Sequence, residues 1–447
     1  MNTVPDHEEY LSGLIIKKIS VNGYRNLKKP IEISLKSDAN FLIGRNGTGK
    51  TTLINLIYDA LSVRYQSLWR SPFISIEFIF SHADKRYSPK LTVEKIIDAD
   101  GLIHKLNYRF RDYKSKDDAF SYSLVGRHFR SADDPASSMA QRKIKEELEK
   151  RFSLTWLALN RSSGLQSGPS ESDNWRTASD IDRKLSDSVQ RLSTYSTRLD
   201  SLFAAEVQKF QQQWLMSFMV EEKPELILRR INDLDFEEEK KHLLSMLREL
   251  KMPPHEYLPK VDRHISLAKR LASGDAAERN SFSAFITMYE ISKLHRWVER
   301  WRILQDRKTD IYKYRDKFLK KMNEMLFRKE AELDSGNLLK IFAIDENSAP
   351  QGKKDEKQKN RRDIDLRDLS SGEKQLIIFL TETLLREQRP YIFLADEPEL
   401  SLHIEWQEIL VSTILEISPG AQIFFATHSP DIVNRFGDNV FSMEDLV

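Results

Sequence analysis

Residues Phe41 to Leu53 read FLIGRNGTGKTTL, an apolar strand running into a glycine-rich turn and then a helix, and no other stretch limits the available folds as much. The run fits G-x-x-x-x-G-K-[ST], with Gly44, Gly49, Lys50 and Thr51 at the fixed positions. Gly44, Gly47 and Gly49 let the backbone wrap closely around a phosphate while successive N–H groups point inward, and the following helix adds the positive end of its dipole. Arg45, Asn46, Thr48 and Thr52 complete the turn. Lys50 is expected to reach the β- and γ-phosphates as a point charge, and the Thr51 hydroxyl to sit on Mg²⁺. An α/β fold is the expectation.

At 447 residues the chain has length for about three domains. Lys and Arg number 70 against 68 Asp and Glu, a formal charge of +2, so any basic surface must be local. There are no cysteines, which excludes disulfides, thiolate metal sites and a cysteine nucleophile, and which suits a reducing interior. No run of about 18 apolar residues exists, and the opening MNTVPDHEEYLSG is polar and acidic rather than a signal peptide. A cytoplasmic chain with no membrane partner is expected. Charged residues at 31 % and a mean hydropathy of −0.53 point to long exposed helices.

In order, Met1 to Ser12 reads as a disordered lead. Leu14 to Val21 is a strand, Gly23 to Leu27 a turn, and Ile31 to Leu35 a second strand with Ile31, Ile33 and Leu35 on one face. Thr51 to Val63 is the helix after the loop, striped by Leu53, Leu56, Ile57 and Leu61. From Pro72 the apolar period becomes two, through Ile74 to Phe80, Leu91 to Ile96 and Ile103 to Phe110, with a turn at Asp98 to Gly101. That predicts an antiparallel side sheet. Ala140 to Arg151 is a charged helix, Leu154 to Leu159 a buried strand ending at Asn160-Arg161, and Gly164 to Asn174 a loop.

From about Ala178 the period is helical for some 150 residues. Leu185, Val189, Leu192, Leu199, Phe203 and Phe210 keep a 4-3 spacing interrupted at Ser196, which reads as a short coiled coil or as a helical subdomain. Met252-Pro253-Pro254 breaks the helices, and Ser281 to Leu333 is a long amphipathic stretch. Its aromatics, among them Phe285, Trp301, Tyr312 and Phe318, read at helical spacing as core, the other reading being stacking on bases. Arg296, Arg300, Arg302, Arg307 and Lys308 form a solvated face or meet phosphates. Leu338 to Ile344 returns to strand, and the basic Gln351 to Arg362 either links two strands or grips a phosphate backbone.

The last ninety or so residues carry the second half of the chemistry. Leu369-Ser370-Ser371-Gly372-Glu373-Lys374-Gln375 opens a helix whose Leu376, Ile377, Phe379, Leu380 and Leu384 face a core, so hydroxyls and a glycine N–H are again displayed at a helix N-terminus. This is a second phosphate-binding surface. Tyr391 to Glu397, YIFLADE, is a buried strand with an acidic pair at its carboxyl end, where open α/β sheets place ligands. Asp396 would hold Mg²⁺ through water and Glu397 would orient or deprotonate an attacking water. Ile423 to Thr427 is another buried strand, and His428 after it would sense or hydrogen-bond a γ-phosphate.

GRNGTGKTT, LSSGEKQ, IFLADEPELSLH and ATHSP, in that order, resemble the ABC-type ATPases that include the SMC-, Rad50-, RecF- and OLD-type proteins. The match covers about residues 14 to 111 and 338 to 435. The resemblance implies a Walker A at Gly44 to Thr52, a signature at Leu369 to Glu373, a Walker B at Ile392 to Glu397, a D-loop near Ser401-Leu402-His403 and a switch histidine at His428. Lys50, Glu397 and His428 are then the catalytic set, with ATP and Mg²⁺ as cofactors. It further implies a homodimer in which two heads sandwich two ATP molecules, the trans signature being Ser370, Ser371, Gly372 and Glu373, with Ser370 and Gly372 of one copy capping the γ-phosphate bound by the other. Ser371 and Glu373 replace the Gly and Gln of the transporter form. Arg25 resembles the family's early arginine near the nucleotide base, and Gln166 is the nearest candidate for the Q-loop glutamine. The expected division is residues 1–177 and 336–447 as the two halves of the ATPase head, with a mixed sheet and antiparallel side sheet, and 178–335 as a helical or short coiled-coil insert.

Departures narrow the choice. The stretch between the matched halves is about 225 residues, too short for the long SMC coiled coils, and it lacks a CxxC hook. OLD-type nucleases continue after the switch histidine into a Toprim domain with a Glu and a D-x-D, whereas this sequence ends at Val447, so nuclease activity is expected of another protein. A helical insert and the Leu157 to Arg161 strand resemble the ATPase subunits of bacterial antiphage defence systems such as Septu, certain retrons and PARIS. That resemblance implies a regulatory ATPase, as a dimer or higher oligomer, controlling a separate nuclease or toxin effector. The alternative is a RecF-like repair or recombination ATPase that clamps on DNA, which keeps nucleic acid open as a partner.

Overall fold

The computed structural model describes residues 13–81, 88–97, 103–111, 119–125, 135–158, 180–217, 219, 235–273, 282–344, 361–386, 390–433 and 436–447. The lead Met1 to Ser12, the turn at Asp98 to Gly101, Asn160-Arg161, the loop Gly164 to Asn174 with Gln166, and Gln351 to Asn360 lie outside these residues. The chain divides into two units, Met1–Ser193 with Lys317–Val447, and Thr194–Asp316.

The larger unit begins with β1 (Ile15–Asn22), β2 (Ile31–Ser34), β3 (Ala39–Ile43), α1 (Lys50–Leu61) and α2 (Tyr65–Arg70). There follow β4 (Ser75–Ser81), β5 (Lys90–Ile97), β6 (Ile103–Arg111), β7 (Phe120–Val125), α3 (Pro135–Glu149) and β8 (Ser153–Ala158). An antiparallel sheet pairs in the order β2-β1-β4-β5-β6-β7. Its strands bury every second residue, as with Ile76, Phe78 and Phe80 on β4 and Leu106, Tyr108 and Phe110 on β6, because a strand sends alternate side chains to opposite faces. This is the expected side sheet. It carries one strand more than the apolar runs announce, since β7 reads FSYSLV and buries only Leu124.

The chain continues as α4 (Asp180–Met216), α5 (Phe236–Glu249), α6 (Pro254–Ser273) and α7 (Phe282–Met325). Next come β9 (Lys329–Leu333), β10 (Leu339–Ile344), β11 (Arg361–Ile364), α8 (Ser371–Leu384) and β12 (Tyr391–Asp396). The last elements are α9 (Ile404–Ile417), β13 (Ala421–Ala426), α10 (Pro430–Val433), β14 (Val440–Ser442) and α11 (Met443–Leu446). The second sheet is parallel throughout, in the order β14-β3-β13-β12-β8. Every residue of β12 and β13 is buried, as a parallel strand covered on both faces requires. The two ends of the sequence therefore share one sheet. β13 separates the loop strand β3 from β12, which sets these two strands about 10 Å apart, two strand spacings. A three-stranded antiparallel sheet, β11-β10-β9, belongs to the same unit.

The amphipathic stretch expected from Ser281 to Leu333 does not run its full length as helix. α7 stops at Met325, Arg328 turns the chain at φ 51°, and Lys329–Leu333 becomes a strand paired with β10. The alternation of Glu330, Ala331 and Glu332, with only Ala331 buried, is the local reason.

In the smaller unit α5, α6 and the first part of α7 close on Leu243, Tyr257, Val261, Ile265 and Val298. Aromatic pairs tie α4 to α7: Phe203 meets Tyr312 edge-on at 5.8 Å and Phe210 meets Trp301 at 6.0 Å. Trp301 and Tyr312 are thus packing residues, with little ring face left for bases. The heptad-like residues Leu192 and Leu199 of α4 are likewise buried.

Candidate active site

The loop after β3 is braced from outside by the turn after β1. The Tyr24 hydroxyl donates to the Gly49 carbonyl at 2.8 Å, and Arg25 Nη1 donates to the carbonyls of Gly47 and Thr48 at 3.4 Å each. A Cβ on Gly49 would fall 2.8 Å from the Tyr24 hydroxyl and 3.0 Å from Arg25 Nη1, and its φ of 106° is one that side chains avoid, so only glycine fits. Lys50 folds back over the loop, with Nζ donating to the carbonyls of Gly44 at 2.7 Å and Arg45 at 3.1 Å. Burial lowers the proton affinity of this lysine, and the carboxylates of Glu397, Glu444, Asp396 and Glu399 act against that fall. Four carboxylates around one buried ammonium mark the centre of the site.

The carboxyl end of β12 supplies the acids. Asp396 Oδ1 accepts from the Thr51 hydroxyl at 3.2 Å across 345 residues of sequence. Burial, with the nearby Glu397 and Glu399 carboxylates, pushes the Asp396 carboxyl up to about 6 against the Thr51 hydrogen bond and the Lys50 charge. A carboxyl so uncomfortable in its charged form, beside a hydroxyl, suits a divalent cation that would settle that charge. Among the described residues no group of three or more His, Cys, Asp or Glu is gathered as a metal cage. Mg²⁺ fits such a place because it takes one or two carboxylates and completes its shell from phosphates and water. Thr51 and Asp396 are the residues that would hold it.

Immediately after β12 the chain turns through Glu397 at φ 49°, a left-handed backbone held by its N–H donating to the Ala426 carbonyl at 2.8 Å. The turn aims Glu397 toward His428, whose Nε2 lies 3.7 Å from Glu397 Oε1. Asn46, Glu397, Glu399, Gln407, His428 and Ser429 line a single cleft of about 550 Å³. Loop, acid and histidine therefore open onto one volume.

α8 presents its N-terminus as a closed capping box. Ser370 Oγ accepts from the Glu373 N–H at 3.3 Å, and Glu373 Oε2 accepts from the Ser370 N–H at 2.9 Å. Glu373 also pairs with Lys329, so its role here is to fix the helix end. A Cβ on Gly372 would stand 2.3 Å from the Ser401 carbonyl oxygen, so glycine is what lets α8 lie against the turn after β12. Ser370 and Ser371 are exposed.

Of the residues marked from the sequence, the structure gathers Arg25, the loop Gly44 to Thr52, Asp396, Glu397 and His428 at the carboxyl ends of β3, β12 and β13. The signature residues Ser370 to Glu373 stand at a helix end of their own. Sequence reasoning misses Glu399, Gln407 and Glu444. Glu444 Oε1 accepts from the Arg45 N–H at 2.7 Å, which holds its carboxyl below the usual range and braces the loop from the α11 side. Glu399 stands two residues after Glu397, and that spacing in an acidic run is the one available signal; nothing in the sequence announces Glu444.

The family pattern described as AAA ATPase domain matches residues 15–433. No curated protein matches the chain. Among solved structures it is similar to the Smc head domain with an extended coiled coil from Pyrococcus furiosus, bound to the C-terminal domain of ScpA. The identity is 14 %, the TM-score 0.42, and 97 % of this chain and 95 % of that one are covered. It is also similar to the SMC head domain from Thermotoga maritima, at 12 % identity and a TM-score of 0.35, over 96 % of this chain and 94 % of that one.

Proposed function

The chain belongs to the AAA ATPase domain family, and on that premise we propose that it binds ATP at the loop Gly44 to Thr52 and hydrolyses it in the cleft shared by Glu397 and His428. The observation that carries this reading is the Thr51–Asp396 hydrogen bond, which brings the loop and the acidic strand to one point. Lys50 would place its charge on the β- and γ-phosphates, and Arg25 would stand near the base. Mg²⁺ held by Thr51 and Asp396 would neutralise phosphate charge. Glu397 would take or orient the proton of the attacking water, with His428 positioned to hydrogen-bond the terminal phosphate. Glu397→Gln is expected to keep ATP binding while turnover falls by about 10²–10⁴-fold. A variant that hydrolyses ATP at the parent's rate contradicts the assignment.

We further propose that Ser370, Ser371, Gly372 and Glu373 of one copy complete the site of a second copy. Support comes from the exposure of Ser370 and Ser371 at a rigidly capped helix N-terminus, the positive end of the helix dipole.

For the biological setting we propose a regulatory ATPase of a bacterial antiphage defence system, whose nucleotide state controls a separate nuclease or toxin. The motif order and the helical insert of modest length support this. In cells carrying the parent system, Lys50→Ala and Glu397→Gln are each expected to abolish phage protection without raising sensitivity to DNA damage. Raised damage sensitivity with protection intact would assign the chain to DNA repair instead.

A further inference from the structure

Glu399 falls within the run IFLADEPELSLH but between the acidic pair and the D-loop, where no role is assigned to it, yet it is the side chain that fixes the backbone of His428. Its Oε1 accepts from the His428 N–H at 2.7 Å and from the Ser429 N–H at 3.2 Å. Oε2 is buried with no hydrogen bond among the described residues, so the polar attachment of this side chain runs through Oε1. Two charge-assisted hydrogen bonds to successive N–H groups are about twice as strong as neutral ones. They fall where the chain leaves β13 and its amides lose their ladder partners.

The same turn is tied from a second side. Ser429 Oγ donates to Gln407 Oε1 at 2.7 Å, and Gln407 Nε2 donates to the Leu402 carbonyl at 2.9 Å. Ser429 Oγ also accepts from the N–H groups of Asp431 and Ile432, capping α10. On the far side of the Glu397 to Leu402 turn, Gln375 of α8 donates to the Pro398 carbonyl at 2.9 Å, and Gly372 lies against Ser401. One six-residue turn thus touches the histidine through Glu399 and the signature helix through Pro398 and Ser401.

We propose that Glu399 is a positioning residue for hydrolysis: it holds the main chain at His428 so that the imidazole stays beside Glu397, and it links that histidine to the helix opening at Ser370. This rests on the ATPase reading above. The imidazole stands only 3.7 Å from Glu397, and a shift of about 1 Å in such an arrangement is enough to lower a rate on the order of a hundredfold.

The test compares Glu399→Ala and Glu399→Gln with the parent. Glu399→Ala is expected to lower kcat by about ten- to a hundredfold, with KM for ATP and the affinity for a fluorescent ATP analogue held within about twofold. Glu399→Gln, which keeps a carbonyl oxygen at the Oε1 position, is expected to recover a large part of the loss. In nucleotide-free protein, amide hydrogen exchange at His428 and Ser429 should speed up in Glu399→Ala and less in Glu399→Gln. Unchanged kcat in Glu399→Ala overturns the proposal, as does unchanged exchange at His428 and Ser429, or a loss confined to KM. A parent chain without ATP turnover would instead overturn the ATPase reading, while the exchange comparison still reports on the anchor.

Discussion

At Asp396 the chain keeps a carboxyl where its charge is poorly solvated. The side chain is 6 % exposed, burial and the neighbouring carboxylates raise it from 3.8 to about 6, and the folded state holds the proton more tightly than the unfolded one. Between about pH 4 and pH 6 stability therefore falls as pH rises, and above pH 6 the full penalty stands, about 3 kcal/mol at most. Asp396→Asn removes the penalty. In chelator, without nucleotide, this variant should resist urea better than the parent at pH 8 and equally at pH 4; equal resistance at pH 8 contradicts the burial account. Lys50, Thr51, Asp396 and Glu397 were legible because a strand end and a phosphate loop impose fixed local spacing. Glu399 and Glu444 were not, because Glu399 acts on the turn after β13 and Glu444 on an amide 399 residues away, partners that exist only once the parallel sheet is built.

Among the elements, α8 shows how the signature run is held. Its capping box fixes the first turn, and Gly372 lets the helix approach the Ser401 carbonyl to a distance that no side chain allows. Gly372→Ala must push α8 or the turn after β12 aside, an overpacking worth about 1–3 kcal/mol. The variant is expected to lose that much stability in denaturant and to lose ATP turnover with it; parental values for both would mean that the contact is soft. Elements were readable from sequence where the apolar period was clean, as in β4, β6 and β12. β7 escaped because its polar serines weaken the alternation, and β9 because its charged residues continue the surface pattern of the long helix before it.

On the scale of the whole molecule, residues near both ends of a 447-residue chain meet in one parallel sheet, β3 beside β13 and β13 beside β12. In the proposed arrangement the phosphate loop and the acid-bearing strand make half of a site, and the exposed Ser370 and Ser371 would form the other half for a second copy. Mixing two inactive variants tests this most directly. Lys50→Ala alone lacks a working loop in both copies, and Ser370→Arg alone lacks a working signature in both. A mixed dimer joins the intact loop of one to the intact signature of the other. On mixing equal amounts, ATP turnover is expected to rise from near zero to about a quarter of the parental rate, since half of the dimers are mixed and each carries one intact site of two. Turnover that stays near zero in the mixture, with mixed dimers present by mass measurement, would contradict the composite site.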